Sequence, residues 1–271
     1  MRGQVVFQRL INDSRASIGV ILCIRIGEVM RILLICCLMV ALAALASSSL
    51  ATDAPKPDKV RIVLVGDSTV TDKSGWGLAF AALLKPDAEC VNAARSGSSS
   101  KSYYDSGSWK QALSQQAKFV LIQFGHNDQP GKGPERETDP KTSYRENLIR
   151  YVDQARQAGA QPILVTSMAR RTFRPDGKIT SSLTPYVDAM KAVAADKKVP
   201  FVDLHARSIA LFESVGAEKS KAFGPPHPNG GGQVDGTHLS AEGAKAIAPL
   251  VVDELWKAEP ALRHCLPGPK T

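Results

Sequence analysis

Residues 59–69 read Lys59-Val60-Arg61-Ile62-Val63-Leu64-Val65-Gly66-Asp67-Ser68-Thr69, an apolar run that stops at Gly-Asp-Ser. Val60 and the four consecutive residues from Ile62 to Val65 are β-branched or leucyl, the composition of a strand buried on both faces in a parallel sheet. Gly66 permits a sharp turn, and Asp67, Ser68 and Thr69 then fall past the carboxyl end of the strand, where open α/β sheets place their ligands. Ser68 is therefore a candidate nucleophile. The competing reading is that Asp-Ser-Thr only caps the next helix.

Beyond Ser68 the pattern alternates strand and helix, which predicts βαβ units around a parallel sheet of about five strands. Strands are expected at 60–65, 90–93, 119–124, 162–165 and 199–204. Helices are expected at 78–85, at 109–116, after Lys141 with Tyr144, Leu148, Val152 and Ala155 on one face, at 185–196 and at 209–215. The serine-rich stretch after Gly97 and the Gly/Pro/His stretch 224–232 read as loops. A last helix follows Ser240, with Ala244, Ile247, Ala248, Val251, Val252 and Leu255 as its apolar face and Pro249 as an expected kink.

Just before that helix stands Asp235-Gly236-Thr237-His238. A serine hydroxyl needs a base within hydrogen-bond reach and a group that orients the base. His238 and Asp235, three apart around a glycine turn, can supply both. This pair promotes Ser68 from cap to nucleophile. The order Ser, Asp, His is shared with α/β-hydrolases, but no G-x-S-x-G occurs, so that nucleophile elbow is absent. The oxyanion formed on attack needs fixed donors. The backbone N–H groups of Ser68 and Gly97 and the side-chain amide of Asn127 all follow strand ends and are the candidates. Arg170, Arg171 and Trp76 are candidate substrate-binding residues, the arginines as part of a cationic loop with Arg174 and Lys101. No cofactor and no metal are expected.

The N-terminal region has a different character. Met30-Arg31 precedes fifteen apolar residues, 32–46, and then Ser47-Ser48-Ser49-Leu50-Ala51, the layout of a secretory signal peptide and too short for a membrane span. Residues 1–51 are therefore expected to be a leader, with Met30 as the expected start of the signal, 52–58 a linker, and 59–271 a single domain. Location is expected to be secreted or periplasmic, with no membrane contact after cleavage, and the protein a monomer. Of five cysteines only Cys90 and Cys265 lie beyond the leader, where they either form one bridge or remain free. The net charge is +8; residues 1–51 hold five basic and two acidic groups, so the remaining 29 basic and 24 acidic residues leave +5. The cations are dispersed without interleaved aromatics, which argues against a nucleic-acid partner.

Taken in order, G-D-S-T, N-A-A-R-S-G, G-H-N-D and D-G-T-H resemble the four blocks of the SGNH, or GDSL, hydrolases. The flanking text, G-D-S-T-V-T-D, G-W-G, R-S-G-S-S-S-K-S-Y-Y-D-S-G-S-W and S-M-A-R-R-T-F, is most similar to the rhamnogalacturonan acetylesterases. The resemblance implies a flavodoxin-like three-layer α/β/α sandwich, with Ser68, Gly97, Asn127 and His238 as the consensus residues and Asp235 completing the triad. It implies a secreted serine esterase that removes acetyl groups from an acetylated polysaccharide or oligosaccharide, most of all pectic rhamnogalacturonan. Pro249 and the His-Pro loop depart from the family pattern.

Three other classes fit parts of the sequence. A metal-dependent phosphoesterase could use Asp67, His126, Asn127, Asp128, Asp235 and His238 as ligands, but a second carboxylate-rich block and a His-x-His pair are missing. A non-catalytic polysaccharide-binding protein could use Trp76, Tyr103, Tyr104, Trp109 and Phe173 as sugar platforms, yet has no need of a Ser-Asp-His set. An SGNH lipase or thioesterase keeps the mechanism and changes the acyl group, but no unassigned apolar stretch offers an acyl channel.

Overall fold

Strand β1 (Val60–Gly66) sits between two parallel neighbours, β2 (Ala88–Asn92) and β3 (Phe119–Gln123), with Ile62 in register with Cys90 on one side and Phe119 on the other. β4 (Gln161–Val165) and β5 (Phe201–Val202) complete an all-parallel sheet of order β2-β1-β3-β4-β5. This is the flavodoxin-like order, in which the chain reverses its direction of travel between β1 and β3. The computed structural model describes residues 31, 59–227, 230 and 232–268. The expected leader and linker fall outside the described residues, Arg31 apart. The described residues from Lys59 onward belong to one compact unit.

The helices are α1 (Gly77–Ala81), α2 (Ser100–Asp105), α3 (Ser108–Leu113), α4 (Ser143–Gln157), α5 (Thr184–Lys197), α6 (Leu204–Val215), α7 (Ala217–Ser220) and α8 (Ala241–Ala258). Alternation along β1 divides them between two layers. Ile62 and Leu64 share a core with Phe80 of α1, Phe212 of α6 and Ile247, Val251 and Leu255 of α8. Val63 and Val65 point to the other face, among Trp109 of α3, Leu148 and Tyr151 of α4 and Val193 of α5. Both faces of β1 are thus fully covered, which is why its sequence shows a continuous apolar run rather than alternation.

The last helix begins where expected, with the Ser240 side chain accepting from Gly243 N–H, and it runs through Pro249 to Ala258. Pro249 has no N–H to give the Lys245 carbonyl one turn earlier.

Other expectations are corrected. The serine-rich stretch is not all loop: Ser99 and Ser102 form a reciprocal capping box, each side chain accepting from the other's N–H, and α2 follows at once. The fifth strand shrinks to two residues because the Asp203 side chain accepts from Ala206 N–H and starts α6 at Leu204, five residues before the expected 209. Cys90 and Cys265 are both free. The described residues of 224–232 form no helix or strand, as expected of a loop, and Pro226 pairs with Val234 in an isolated antiparallel bridge just ahead of Asp235.

Candidate active site

Ser68 follows the carboxyl end of β1 and Asn127 that of β3, the two strands that flank the point of reversal where such sheets bind ligands. Ser68 is 9% exposed. His238, placed just ahead of α8, brings Nε2 to 2.9 Å from Ser68 Oγ across 170 residues of sequence. Its other ring nitrogen, Nδ1, lies 2.7 Å from Asp235 Oδ2. Oδ1 of Asp235 accepts from the backbone N–H groups of Thr237 and His238 at 2.7 and 2.9 Å, so the Asp-Gly-Thr-His turn is closed by its own carboxylate. Burial alone would raise the Asp235 pKa; the bonds from the His238 ring and the two N–H groups outweigh it and hold the carboxyl at about 2. Asp235 is thus an anion throughout the neutral range, ready to stabilise an imidazolium.

The candidate oxyanion donors come from separate turns. Gly97 has φ of +76°, a left-handed conformation that a side chain would strain, although a Cβ there would meet nothing within 4 Å. Asn127 Nδ2 donates to the Ser98 carbonyl at 3.0 Å, which ties the turn after β3 to the turn after β2. The turn that carries Ser68 is fixed from below. Asp67 Oδ1 accepts from Thr69 N–H at 2.8 Å and Thr69 Oγ1 at 2.7 Å, and the Ser68 carbonyl accepts from Thr71 Oγ1 and Ser74 Oγ. A Cβ on Gly75 would collide with the Thr69 backbone, so the following segment presses directly against the nucleophile turn.

Asp67 is fully buried, with Oδ2 3.5 Å from His126 Nδ1. Burial pushes its pKa up, but His126 and Thr69 more than offset this and the net shift is downward. Asp128, also buried, accepts from Ser100 N–H at 3.0 Å, Ser100 Oγ at 2.5 Å and Thr138 Oγ1 at 3.0 Å. These bonds fall short of the desolvation of its charge, and its carboxyl is pushed up to about 7. Asp67 Oδ1 and the Asp128 carboxyl are taken up by internal bonds, while Asp67 Oδ2 and both ring nitrogens of His126 are buried without a hydrogen-bond partner; among the described residues no group of three His, Cys, Asp or Glu side chains is arranged to hold a metal ion.

The three candidate substrate-binding residues fare differently. Trp76 is 0% exposed, and its Nε1 donates to Gln123 Oε1 at 3.0 Å; Gln123 Nε2 donates in turn to Thr69 Oγ1 at 2.8 Å. It supports the nucleophile turn from the core and presents no face to a sugar. Tyr103 and Trp109 are equally buried. Arg171 is turned inward: Nη2 donates to the backbone carbonyls of Asp235 and His238, and burial lowers its pKa to about 10 against the opposing pull of Asp235. Arg170 Nη1 donates to Gln129 Oε1 and Ser182 Oγ, and it alone of the three lines an open hollow. The cationic loop does not form as a unit, because Arg174 pairs with Asp176 and Lys101 donates to the Pro134 carbonyl.

Sequence reasoning missed Gln123 and Arg171 as supports of the site. Gln123 carried a signal, being the one polar residue in the run Phe119-Val120-Leu121-Ile122-Gln123-Phe124. The inward turn of Arg171 had none.

A flavodoxin-like sandwich with a Ser-His-Asp relay at its point of reversal is the build of a carboxylic ester hydrolase. The chain belongs to the GDSL-like lipase/acylhydrolase family, whose model matches residues 64–246. It is similar to the rhamnogalacturonan acetylesterase RhgT of Bacillus subtilis, 39% identical over 210 residues that make up 72% of this chain and 88% of the relative. It is 34% identical to the probable rhamnogalacturonan acetylesterase YesY of the same organism over 198 residues, covering 70% of this chain and 89% of the relative. Among solved structures, the Bacillus subtilis protein YxiM superposes with a TM-score of 0.62 at 25% identity, covering 76% of this chain and 58% of that longer one.

Proposed function

We propose that this protein removes O-acetyl groups from a pectic polysaccharide of the rhamnogalacturonan type through an acyl-enzyme on Ser68. The observation that carries the mechanism is the continuous relay from Ser68 Oγ to His238 and Asp235. Ser68 Oγ attacks the acetyl carbonyl carbon while His238 Nε2 takes its proton, and the imidazolium is stabilised by Asp235. The tetrahedral oxyanion is held by the N–H groups of Ser68 and Gly97 and by Asn127 Nδ2. On collapse the ester C–O bond breaks, His238 returns the proton to the sugar oxygen, and the deacetylated sugar leaves. Water, deprotonated by His238, attacks the acetyl-serine; acetate departs and Ser68 regains its proton. The polysaccharide class is supported by the two relatives named as rhamnogalacturonan acetylesterases.

Longer acyl esters are a second reading, favoured by one observation. A hollow of about 570 Å³ runs between α1 and α8 and is lined by Leu78, Ala79, Leu83, Ala244, Ala248 and Leu239, the residue that follows the candidate base. An acyl series from acetyl to octanoyl 4-nitrophenyl esters, run beside acetylated rhamnogalacturonan, xylan and chitin fragments, separates the two. The pectic reading requires kcat/KM to be highest for acetyl and for the pectic substrate. A steady climb with chain length overturns it in favour of a lipase or thioesterase.

Export is part of the same proposal, supported by the apolar run 32–46 and the small residues that follow it. The mature N-terminus in the native host should lie near Thr52; an intact Met1 or Met30 terminus on the active protein would refute export.

A further inference from the structure

Next to the oxyanion side of the site lies a second hollow of about 620 Å³, bordered by Gln129, Pro130, Lys132, Arg170, Ser182 and Pro185. It adjoins the chemistry through the backbone: Arg170 Nη2 donates to the His126 carbonyl at 3.4 Å, and His126 immediately precedes Asn127. Gln129 follows Asn127 by two residues, and Arg170 lies beyond β4, the strand next to β3. The hollow therefore occupies the β4 side of the crevice at the same edge of the sheet as Ser68.

Its charge is unbalanced. The partners of Arg170 are Gln129 Oε1 at 2.7 Å, Ser182 Oγ at 3.3 Å and the His126 carbonyl, all neutral oxygens. The guanidinium is partly desolvated, which lowers its pKa, and only the charge of Asp67 beneath the site opposes that shift. Lys132 lines the same hollow and joins no ion pair among the described residues. No carboxylate borders the hollow. The acids nearest in sequence are engaged elsewhere: Asp128 accepts from the Ser100 and Thr138 hydroxyls, Glu135 pairs with Arg136, Glu137 accepts from the N–H groups of Gly131 and Gly133, and Asp139 from those of Lys141 and Thr142. Gln129 Nε2 is itself anchored on the Ser182 carbonyl and hydroxyl, so the groups around Arg170 are fixed before any ligand arrives.

A half-buried guanidinium with preset neutral partners and no carboxylate in contact with it, in a hollow shared with a second cation, is a site for a carboxylate, whose two oxygens match the guanidinium fork. We propose that this hollow is a uronate subsite, in which Arg170 and Lys132 take the carboxylate of a uronic acid in the bound chain. The inference rests on the pectic reading above and adds to it the group that is recognised and the two residues that recognise it. It replaces the cationic loop expected from sequence: Arg171, Arg174 and Lys101 drop out, and Lys132 enters.

The test compares acetylated pectic oligosaccharides carrying free uronates with the same oligosaccharides after methyl esterification, in the wild type, Lys132→Gln and Arg170→Gln. Each kcat/KM is divided by the same protein's rate on 4-nitrophenyl acetate, so a loss of folding or of the serine chemistry cancels. The wild type should prefer the free acid, and the preference should narrow with added salt. Lys132→Gln should reduce the preference about threefold, the scale of an exposed ion pair, and Arg170→Gln about tenfold or more, through KM. If the wild type deacetylates both forms alike, or both variants keep its preference, the uronate subsite is wrong while the pectic reading stands. If the wild type acts on 4-nitrophenyl acetate but on neither oligosaccharide, the pectic reading falls and takes the subsite with it.

Discussion

Arg171 holds His238 by its backbone: Nη2 donates to the His238 carbonyl at 2.7 Å and to the Asp235 carbonyl at 2.6 Å, so one nitrogen bridges both ends of the Asp-Gly-Thr-His turn. The Arg171 N–H also donates to Gly236, and the guanidinium lies 5.5 Å from the centre of the Phe212 ring. Replacing Arg171 by Met keeps much of the bulk and removes the donors. The two part-buried carbonyls would then lose a charge-assisted partner, at about 1–3 kcal/mol. The expected result is a fall in kcat of at least about tenfold with little change in KM, since a misplaced general base harms chemistry more than binding. Steady-state kinetics on 4-nitrophenyl acetate checks this; an unchanged kcat would mean that the turn is held by its own Asp235 bonds alone.

Trp76 offers a clean separation between core and platform. Changing it to Phe removes the indole N–H and leaves Gln123 Oε1 buried without its donor, so unfolding in urea should show a loss of about 1–3 kcal/mol. A sugar platform would instead show a rise in KM for the oligosaccharide with stability intact. The burial of Trp76 predicts the first result.

The contrast between Trp76 and Ser68 shows what was legible in the sequence. The strand pattern around Ile62 to Val65 and the glycine that ends it are local signals, so β1, the parallel sheet and the place of Ser68 could all be read directly. Asp235 and His238 were legible because they meet within one short turn. The capping box of Ser99 and Ser102 was also local, yet a run of serines and glycine looks like loop when propensity is read without cap geometry. Trp76, Arg170 and Arg171 were not legible. An aromatic or an arginine beyond a strand end can face solvent or core, and which it does depends on partners as far as 41 to 67 residues away, as the bonds of Arg170 to Gln129, Trp76 to Gln123 and Arg171 to His238 show.

Asn127 is expected to act chiefly in the transition state. Its amide is already oriented by the Ser98 carbonyl, with its second hydrogen left for the oxyanion. Asn127→Ala should lower kcat by about 10² to 10³ with little change in KM, the range for one oxyanion donor. Asp235→Asn and His238→Ala should lose more, because they disable the base itself. A rise in KM with kcat unchanged for Asn127→Ala would assign the amide to ground-state binding instead.

Asp128 predicts how stability depends on pH. Its folded pKa of about 7 lies above the roughly 3.9 of an unfolded aspartate, so between those values the folded chain keeps a proton that the unfolded chain has released. Stability contributed by this group is complete below about pH 4, declines as pH rises towards 7, and is level above it. Asp67 and Asp235, both held low, act in the opposite sense: their contribution is present above about pH 4 and lost only as pH falls below it, outside this window. Asp128→Asn keeps an oxygen acceptor for Ser100 and Thr138 and removes the titration. Urea unfolding of the wild type between pH 4.5 and 8 should therefore show a falling component that Asp128→Asn lacks, with the variant gaining most at pH 8. Equal slopes in the two proteins would place the Asp128 pKa near its ordinary value and make the Ser100 and Thr138 bonds sufficient to solvate the buried charge.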